Sequence, residues 1–194
     1  MIKLGITGGI GSGKSVVATI FQLYGIPVYI ADEESKKLTD TSPLIREKLQ
    51  KLCGSKIYKD SKLDKKQLAS IIFNNADMLL EVNGIIHPEV NKSFLNWVCR
   101  QTNTICAIES AILFESGFDK IVDRTLTVYA PIDIRLERIQ KRDNVPLEAI
   151  KKRIDSQLSD EIKRDRADYI IINDNKTPLI KQVSDIITSL SSII

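Results

Sequence analysis

A glycine-rich run near the amino terminus carries the clearest chemical signal in the sequence. Residues 8–15 read GGIGSGKS and fit the phosphate-binding pattern GxxxxGK[ST] at every defined position. Glycines let backbone N–H groups approach a phosphate closely, and a following helix adds positive potential at its amino terminus. Lys14 can reach the β- and γ-phosphates of a nucleotide, and the Ser15 hydroxyl can bind Mg²⁺. The run predicts a nucleotide site; the alternative is a glycine-rich turn without a ligand.

Apolar runs that alternate with helical segments surround this loop. Five runs read as strands, at residues 2–7, 28–31, 105–108, 125–130 and 169–173. Residues 16–24 and 179–193 read as helices, the first of them directly after the phosphate-binding run. Continuous apolar strands between helices indicate a parallel sheet with both faces covered. We therefore predict an α/β fold of the P-loop NTPase type, with a five-stranded parallel sheet flanked by helices.

Two longer segments interrupt this plan, within a single domain that covers residues 1–194. The predicted core comprises residues 1–31, 105–131 and 167–194. Residues 32–104 are too long for one crossover helix and are largely helical in pattern, which predicts a helical insertion. Residues 132–166 are rich in lysine and arginine and predict a helical lid, with Asn144-Val145-Pro146 as the turn between two of its helices.

Three carboxylates that follow predicted strands could take part in chemistry at the carboxyl edge of the sheet. Asp32 comes just after the second strand, where it could accept a proton from an attacking hydroxyl or hold a metal-bound water. It could equally be the N-cap of a helix. Glu109 follows the third strand, where it suits a position near Mg²⁺, and Glu115 could contact a substrate. An exposed loop acid is the alternative for both.

Three arginines recur at helical spacing in the basic segment. Arg135, Arg138 and Arg142 are three and four residues apart, which places them on one helical face. Phosphoryl transfer needs cations that neutralise developing charge, and a basic flap can supply them when it closes. The neighbouring Glu137 and Asp143 offer the alternative of ordinary surface ion pairs.

Composition narrows the functions that remain. The formal net charge is +3, whereas a nucleic-acid binder usually shows a stronger basic stripe, so we expect no nucleic-acid partner. His87 is the only histidine, which excludes a zinc site built on several histidines. We interpret His87-Pro88 as the start or the break of a helix and the histidine as structural. No apolar run is long enough to span a membrane and no amino-terminal signal is visible, so we expect a cytoplasmic protein without membrane contact.

One class of phosphate-loop proteins can be tested directly from the sequence. GTPases carry a DxxG segment after the loop and an NKxD specificity segment. No aspartate of this chain has a glycine three residues later, and its two Asn-Lys pairs lack the required aspartate. The small size and the basic lid favour a kinase of a small metabolite instead.

Taken in order, these segments resemble those of bacterial dephospho-CoA kinases along nearly the whole chain. The similar segments are residues 4–15, Ala31-Asp32, His87-Pro88-Glu89-Val90, Ile112-Leu113-Phe114-Glu115, Arg138 with Arg142-Asp143, Arg153 with Gln157, and Ala167-Asp168 with Asn173. Only the phosphate-binding run is specific to nucleotides by itself. The ordered set is what indicates this one family.

The resemblance implies transfer of the γ-phosphoryl group of ATP to the ribose 3′-hydroxyl of dephospho-CoA, which is the last step of CoA biosynthesis. It implies that Asp32 acts as the base near the acceptor hydroxyl and that Lys14 and Arg142 are the other catalytic residues. The residues expected to bind ATP are Gly11, Ser12, Gly13, Lys14, Ser15, Val16 and Asn173.

Further expectations concern the metal and the acceptor. Mg²⁺ is expected at Ser15, helped by Glu109. The insertion is expected to bind dephospho-CoA, and His87, Glu115 and Arg138 are the candidate acceptor contacts. Two alternatives stay open at this point, namely another small-metabolite or nucleoside monophosphate kinase and a non-catalytic nucleotide-binding module.

Overall fold

The computed structural model describes residues 1–60, 62–72, 75–143 and 146–193, which pack as two compact units. The first unit is formed from Met1–Ile30 and Arg100–Ile194, and the second from Ala31–Cys99. In chain order the strands and helices are β1 (Ile2–Thr7), α1 (Lys14–Leu23), β2 (Val28–Ile30), α2 (Ala31–Thr41), α3 (Pro43–Cys53), β3 (Tyr58–Lys59), β4 (Lys62–Leu63), α4 (Lys65–Ile72), α5 (Ala76–Val98), β5 (Ile105–Glu109), β6 (Arg124–Tyr129), α6 (Ile132–Asp143), α7 (Leu147–Asp155), α8 (Asp160–Arg166), β7 (Tyr169–Ile172) and α9 (Leu179–Ser191).

Five of the described strands form one parallel sheet in the order β2-β5-β1-β6-β7. β1 lies in the middle, where Gly5 is level with Ile108 of β5 and with Thr125 of β6. β1 and β5 are buried along nearly their whole length, as expected of strands whose two faces are covered. The predicted α/β fold with a five-stranded parallel sheet flanked by helices is confirmed.

Several element boundaries differ slightly from the sequence prediction. β2 ends at Ile30, because Ala31 already begins α2, and β5 extends by one residue to include Glu109. α1 begins at Lys14 and not at residue 16. An apolar run marks which residues are buried, whereas the ends of an element depend on backbone hydrogen bonds that the run does not encode.

One face of the sheet packs against α1 and α9 through a continuous apolar cluster. Its buried members are Ile2, Leu4, Ile6, Val17, Phe21, Ile26, Ile105, Ala107, Leu126, Val128, Ile171, Val183, Ile186 and Leu190. Each fully buried large aliphatic side chain in such a cluster contributes roughly 1.5–3 kcal/mol. The cluster fixes α1 against β1, and it therefore fixes both ends of the glycine-rich loop that joins them.

The second unit combines helices α2 to α5 with a short hairpin. Its core is formed by the buried side chains of Ile45, Leu49, Ile57, Leu68 and Val82. The sequence predicts the helices but not the hairpin, in which β3 and β4 pair antiparallel with two residues each. Strands this short and this rich in lysine leave no alternating apolar pattern to detect. The extent of the insertion, residues 32–104, and its division from the lid stay predictions.

Helix α5 runs without interruption through Pro88, so the prediction that His87-Pro88 begins or breaks a helix is wrong. Pro88 has no N–H group, which deprives the Gly84 carbonyl of its helical donor and costs about 3 kcal/mol. Buried side chains on both sides of the proline, among them Val82 and Phe94, offset this cost. The helix is also well started, because the Asn75 side chain accepts a hydrogen bond from the Met78 N–H at 3.0 Å.

The basic segment belongs to the first unit and contains α6, α7 and α8. Of the turn predicted at residues 144–146, Asn144 and Val145 lie outside the described residues, and that turn stays a prediction. Ser159 is the N-cap of helix α8, and its hydroxyl accepts a hydrogen bond from the Ile162 N–H at 3.3 Å. None of the helices in the described ranges has the length and apolarity that a membrane span requires.

Candidate functional site

The glycine-rich loop joins the carboxyl end of β1 to the first turn of α1. Gly13 is the N-cap of α1 and has a left-handed backbone, with φ 95°, which favours glycine. A side chain at Gly13 would also collide with the amide nitrogen of Asn173. A backbone hydrogen bond from the Ser12 N–H to the Gly9 carbonyl, at 3.1 Å, closes the loop on itself. The loop is therefore a tight turn at the amino terminus of a ten-residue helix.

Lys14, Ser15 and Val16 form the first turn of α1, as a phosphate-binding loop requires. Ser15 and Val16 are exposed, and Lys14 is partly exposed. The positive end of the helix dipole and the lysine charge thus lie at the same place in the first unit. This arrangement suits the binding of an anion such as a nucleotide phosphate.

Glu109 is the last residue of β5, level with Ile6 of β1 and Ile30 of β2. The residue is only 5% exposed, so its interpretation as an exposed loop acid is wrong. β1 and β5 are parallel, and this carboxylate therefore lies at the same edge of the sheet as the glycine-rich loop. A carboxylate oxygen at that edge is a suitable ligand for Mg²⁺ or for one of its waters.

Arg135 on α6 is buried against the outer side of the loop and is not a surface residue. Its Nε donates to the Ile10 carbonyl at 2.8 Å, and its guanidinium group forms an ion pair with Asp160. Burial lowers the pKa of Arg135 below its usual range, although the nearby Glu161 opposes this shift, and the group stays a cation at neutral pH. The guanidinium and the Asp160 carboxylate fill the space that a side chain on Gly9 would need.

Arg138, one turn further along α6, binds the other half of the loop. Its Nη1 lies 3.4 Å from both the Gly11 and the Ser12 carbonyls, and its Nη2 donates to Asn173 and to Asn175 beyond β7. The Asn173 amide itself donates to the Ser12 carbonyl at 2.7 Å and is buried. Arg138 and Asn173 thus support the loop, and their predicted contacts with the acceptor and with ATP stay predictions.

Arg142 behaves differently from the other two arginines of α6. Its side chain is 62% exposed and pairs with Asp143, with Nε 2.6 Å from Oδ1. Asp143 also accepts from Arg153 of α7 at 3.0 Å, and these cations hold the pKa of Asp143 below its usual range, Arg142 contributing most. Arg142 thus forms a surface ion pair, as the alternative interpretation has it, whereas Arg135 and Arg138 bind loop carbonyls, which neither interpretation predicted. The role of the three arginines in neutralising phosphoryl charge stays a prediction.

Two residues that follow α7 support the loop, Gln157 directly and Asp160 through Arg135, and the sequence prediction gave neither of them this role. The Gln157 side chain accepts a hydrogen bond from the Ile10 N–H at 3.1 Å, and Asp160 pairs with Arg135. Gln157 belongs to the segments that resemble the family, so the sequence marks it as a residue of interest. The sequence does not indicate that its partner is the Ile10 N–H. Asp160 has no distinguishing signal, since an acid after a serine N-cap is common in any helix.

Glu115 and Lys163 join the loop after β5 to α8. Lys163 is fully buried, and its Nζ lies 2.7 Å from the Ala111 carbonyl and 3.0 Å from Glu115. Burial lowers the pKa of Lys163, and the attraction of Glu115 opposes that shift. Glu115 also accepts from the Leu158 N–H at 2.9 Å. Glu115 thus holds the connection between α7 and α8, and its acceptor contact stays a prediction.

The remaining site candidates, Asp32 and His87, belong to the second unit. Asp32 is exposed and is the second residue of α2, so it is not the N-cap that the alternative interpretation required. Its neighbours Glu33 and Glu34 also lie in the first turn, where carboxylates interact favourably with the helix dipole. His87 is half-buried on α5, in the middle of the helix.

Replacing His87 with glutamine should make the protein less sensitive to acid. Burial lowers the pKa of His87 below 6.5, so below that pH the unfolded chain binds a proton that the folded chain does not. Stability therefore falls as the pH drops from about 6.5 towards the lowered pKa. The decrease in Tm between about pH 7.5 and about pH 5.5 should be smaller in His87→Gln, which has no histidine left. Equal decreases in the two proteins would contradict this assignment.

Comparison with known proteins agrees with this geometry. A family model described as dephospho-CoA kinase matches residues 2–178, a range that contains the loop, α6, Asp32 and Asn173. The chain belongs to the dephospho-CoA kinase family. The match covers nearly all of the chain and includes residues of both compact units.

Individual known proteins are similar to this chain along nearly their whole length. A dephospho-CoA kinase of Bacteroides fragilis is 49% identical over 190 residues, which cover 97% of this chain and 93% of that protein. The structure of dephospho-CoA kinase from Campylobacter jejuni superposes with a TM-score of 0.71 at 30% identity and covers 98% of this chain and 97% of the other. The Thermus thermophilus protein TT1252 gives a TM-score of 0.86 at 28% identity, with 97% and 96% covered.

Proposed function

We propose that this chain transfers the γ-phosphoryl group of ATP to the ribose 3′-hydroxyl of dephospho-CoA and so completes CoA. The observation that carries the proposal is the family match over residues 2–178, combined with an intact phosphate-binding loop on a helix amino terminus. Both substrates are soluble polyanions, which agrees with the small positive net charge of +3. We accordingly place the reaction in the cytoplasm.

The ATP side of the reaction is assigned to the first unit. Residues 11–16 surround the phosphates, and Lys14 places its ammonium group against the β- and γ-phosphates. Negative charge builds up on the β–γ bridging oxygen as the bond to the γ-phosphorus breaks. A fixed cation and fixed N–H dipoles stabilise that charge without having to reorganise.

Mg²⁺ fits the oxygen donors that this edge of the sheet provides. The exposed Ser15 hydroxyl and the Glu109 carboxylate are hard oxygen ligands, and Mg²⁺ commonly binds to few protein groups together with substrate phosphates and water. We propose Ser15 as a direct ligand and Glu109 as a direct or water-bridged one. The bound ion would neutralise charge on the β- and γ-phosphates.

The acceptor side is assigned to Asp32 and to the second unit. The Asp32 carboxylate accepts the proton of the ribose 3′-hydroxyl while that oxygen attacks the γ-phosphorus, and ADP leaves with the electron pair of the broken bond. Asp32 suits this part because it is exposed and follows the end of β2 by only two residues. His87, Glu115 and Arg138 are proposed as further acceptor contacts on the strength of the family resemblance.

Replacing Arg142 with alanine should lower kcat by roughly ten- to a hundredfold and change KM for ATP little. The reason is that Arg142 is proposed to turn from Asp143 towards the transferring phosphoryl group, where it acts mainly in the transition state. Steady-state kinetics of Arg142→Ala and of Lys141→Ala make the comparison. Lys141 is the matched control, since it is an exposed cation on the same helix that pairs with Glu137. An unchanged kcat in Arg142→Ala would leave Arg142 as a surface partner of Asp143.

An acceptor panel separates this proposal from its rivals. ADP release from ATP is measured with dephospho-CoA, with shikimate and with nucleoside monophosphates as acceptors. We expect turnover with dephospho-CoA at least about a hundredfold above that with any other acceptor, because selection rests on polar groups that a wrong acceptor leaves unpaired. Preference for another acceptor would favour a different metabolite kinase. ATP binding without transfer to any acceptor would favour a non-catalytic binding module.

A further inference from the structure

Three consecutive carbonyl groups of the glycine-rich loop accept hydrogen bonds from side chains outside it. The Ile10 carbonyl binds Nε of Arg135 at 2.8 Å. The Ser12 carbonyl binds the Asn173 amide at 2.7 Å. Nη1 of Arg138 lies 3.4 Å from the Gly11 carbonyl and 3.4 Å from the Ser12 carbonyl. All of these donors come from α6 or from the residue that follows β7.

The direction of these carbonyls determines the direction of the next N–H groups. The described chain has no cis peptide bond, and in a planar trans peptide the C=O of one residue and the N–H of the next point in opposite directions. The Gly11 N–H therefore points away from Arg135, and the Gly13 N–H points away from Asn173. The Ser12 N–H is used within the loop, where it donates to the Gly9 carbonyl.

We propose that Arg135, Arg138 and Asn173 are positioning residues that hold the carbonyls of residues 10–12 outwards, so that the Gly11 and Gly13 N–H groups face the bound phosphates. Without them the peptide units of a glycine-rich loop can rotate, since glycine permits both signs of φ. The nucleotide would then have to order the loop when it binds, which weakens its affinity.

The positioning residues are themselves held in place. Arg135 is 3% exposed in its side chain and pairs with Asp160. Arg138 reaches across to Asn173 and Asn175, which fixes its guanidinium plane against the residues after β7. The absence of a side chain on Gly9 gives room for Arg135, and the same absence on Gly13 gives room for the Asn173 amide. The loop thus packs closely against Arg135 at Gly9 and against Asn173 at Gly13.

Nucleotide binding tests the proposal. The proposal rests on one part of the proposed function, namely that the loop binds nucleotide phosphates. Dissociation constants for ADP are measured by calorimetry on the full chain, for wild type, Arg135→Met, Arg135→Lys and Asn173→Ala. We expect each removal to weaken ADP binding about tenfold, because each takes one side-chain hydrogen bond from a loop carbonyl. Arg135→Lys should recover part of the loss, since a lysine can still donate to the Ile10 carbonyl.

Two matched controls, Lys141→Met and Asn103→Ala, should keep wild-type affinity for ADP. Lys141 is an exposed cation on α6, and the Asn103 amide donates to the Gly25 carbonyl and not to the loop.

Amide NMR adds a measurement that general loss of structure would not reproduce. In a glycine-labelled protein, inorganic tripolyphosphate should shift the Gly11 and Gly13 N–H signals of the wild type downfield. Arg135→Met should reduce mainly the Gly11 shift, and Asn173→Ala mainly the Gly13 shift. Wild-type ADP affinity in both removals, or wild-type shifts at both glycines in a weakened variant, would overturn the proposal. If Arg135→Met does not fold, Asn173→Ala decides it by the same two criteria.

These results remain distinct from a failure of the proposed function. A wild type that binds ADP and shows both glycine shifts, but transfers no phosphoryl group to dephospho-CoA, would refute the activity and leave the positioning role intact. A wild type with no affinity for ADP or tripolyphosphate would refute both.

Discussion

Lys14→Ala should lower kcat/KM by about a thousandfold or more. Lys14 lies in the first turn of α1, directly after the loop, and no nearby side chain in the same turn carries a positive charge. Its loss removes a fixed cation from the place where charge develops on the phosphates, and such electrostatic contributions are among the largest in enzyme catalysis. Steady-state kinetics with ATP and dephospho-CoA measure the effect.

The control for this experiment is Lys181→Ala. Lys181 is an exposed lysine on α9 that pairs with Asp185 at 2.7 Å, far along the chain from the loop. It should behave as wild type, which shows that losing one lysine and one unit of charge is harmless in itself. Turnover of Lys14→Ala within about threefold of wild type would contradict the site assignment, because a phosphate-binding lysine cannot be dispensable for transfer.

Asp32→Asn should lower kcat by roughly a hundred- to ten-thousandfold while ATP affinity stays near that of wild type. The amide is nearly the same size as the carboxylate but cannot accept the proton of the 3′-hydroxyl. The loss should therefore appear in the chemical step and leave binding intact. Single-turnover kinetics and direct ATP binding separate the two effects.

Glu33→Gln is the matched control for Asp32→Asn. Glu33 is the next residue of α2, is likewise exposed and lies in the same helical turn. The Glu33→Gln substitution therefore removes the same charge beside the same helix dipole. It should keep wild-type kcat. If ATP affinity of Asp32→Asn falls as much as its rate, Asp32 would be a metal-site or structural acid and not the base.

The sequence predicts the sheet well because burial of whole strands leaves long apolar runs. β1, β5 and β6 each carry such a run, and the loop pattern between β1 and α1 fixes the carboxyl edge of the sheet. Glu109 could be assigned to this edge but not recognised as buried, since the end of β5 depends on its pairing with Ile6 and Ile30. The glycine-rich loop could be identified from its sequence pattern alone.

The arginines of α6 show where a helical pattern ceases to be informative. Spacing predicts a common face, yet Arg135 is buried against a segment distant in sequence, whereas Arg142 is exposed and pairs with its neighbour Asp143. The carbonyl that Arg135 binds lies 125 residues away. Such a contact depends on how α6 packs against the loop, and no local rule encodes it.

Pro88 illustrates the opposite error, in which a strong local signal is overruled. A proline usually ends a helix, but α5 continues for ten residues beyond it, to Val98. Packing of buried side chains on both sides of Pro88 outweighs the lost hydrogen bond. Local propensity is reliable only where tertiary contacts do not contribute more energy.

The most direct test of the central claim is ADP release from ATP with and without dephospho-CoA, with the product examined by phosphorus NMR. The account predicts that ADP release depends on dephospho-CoA, that one ADP forms for each acceptor consumed, and that the product carries a new phosphomonoester on the ribose 3′-oxygen. ADP release that is unaffected by dephospho-CoA, or a phosphate attached at any other position, would contradict it.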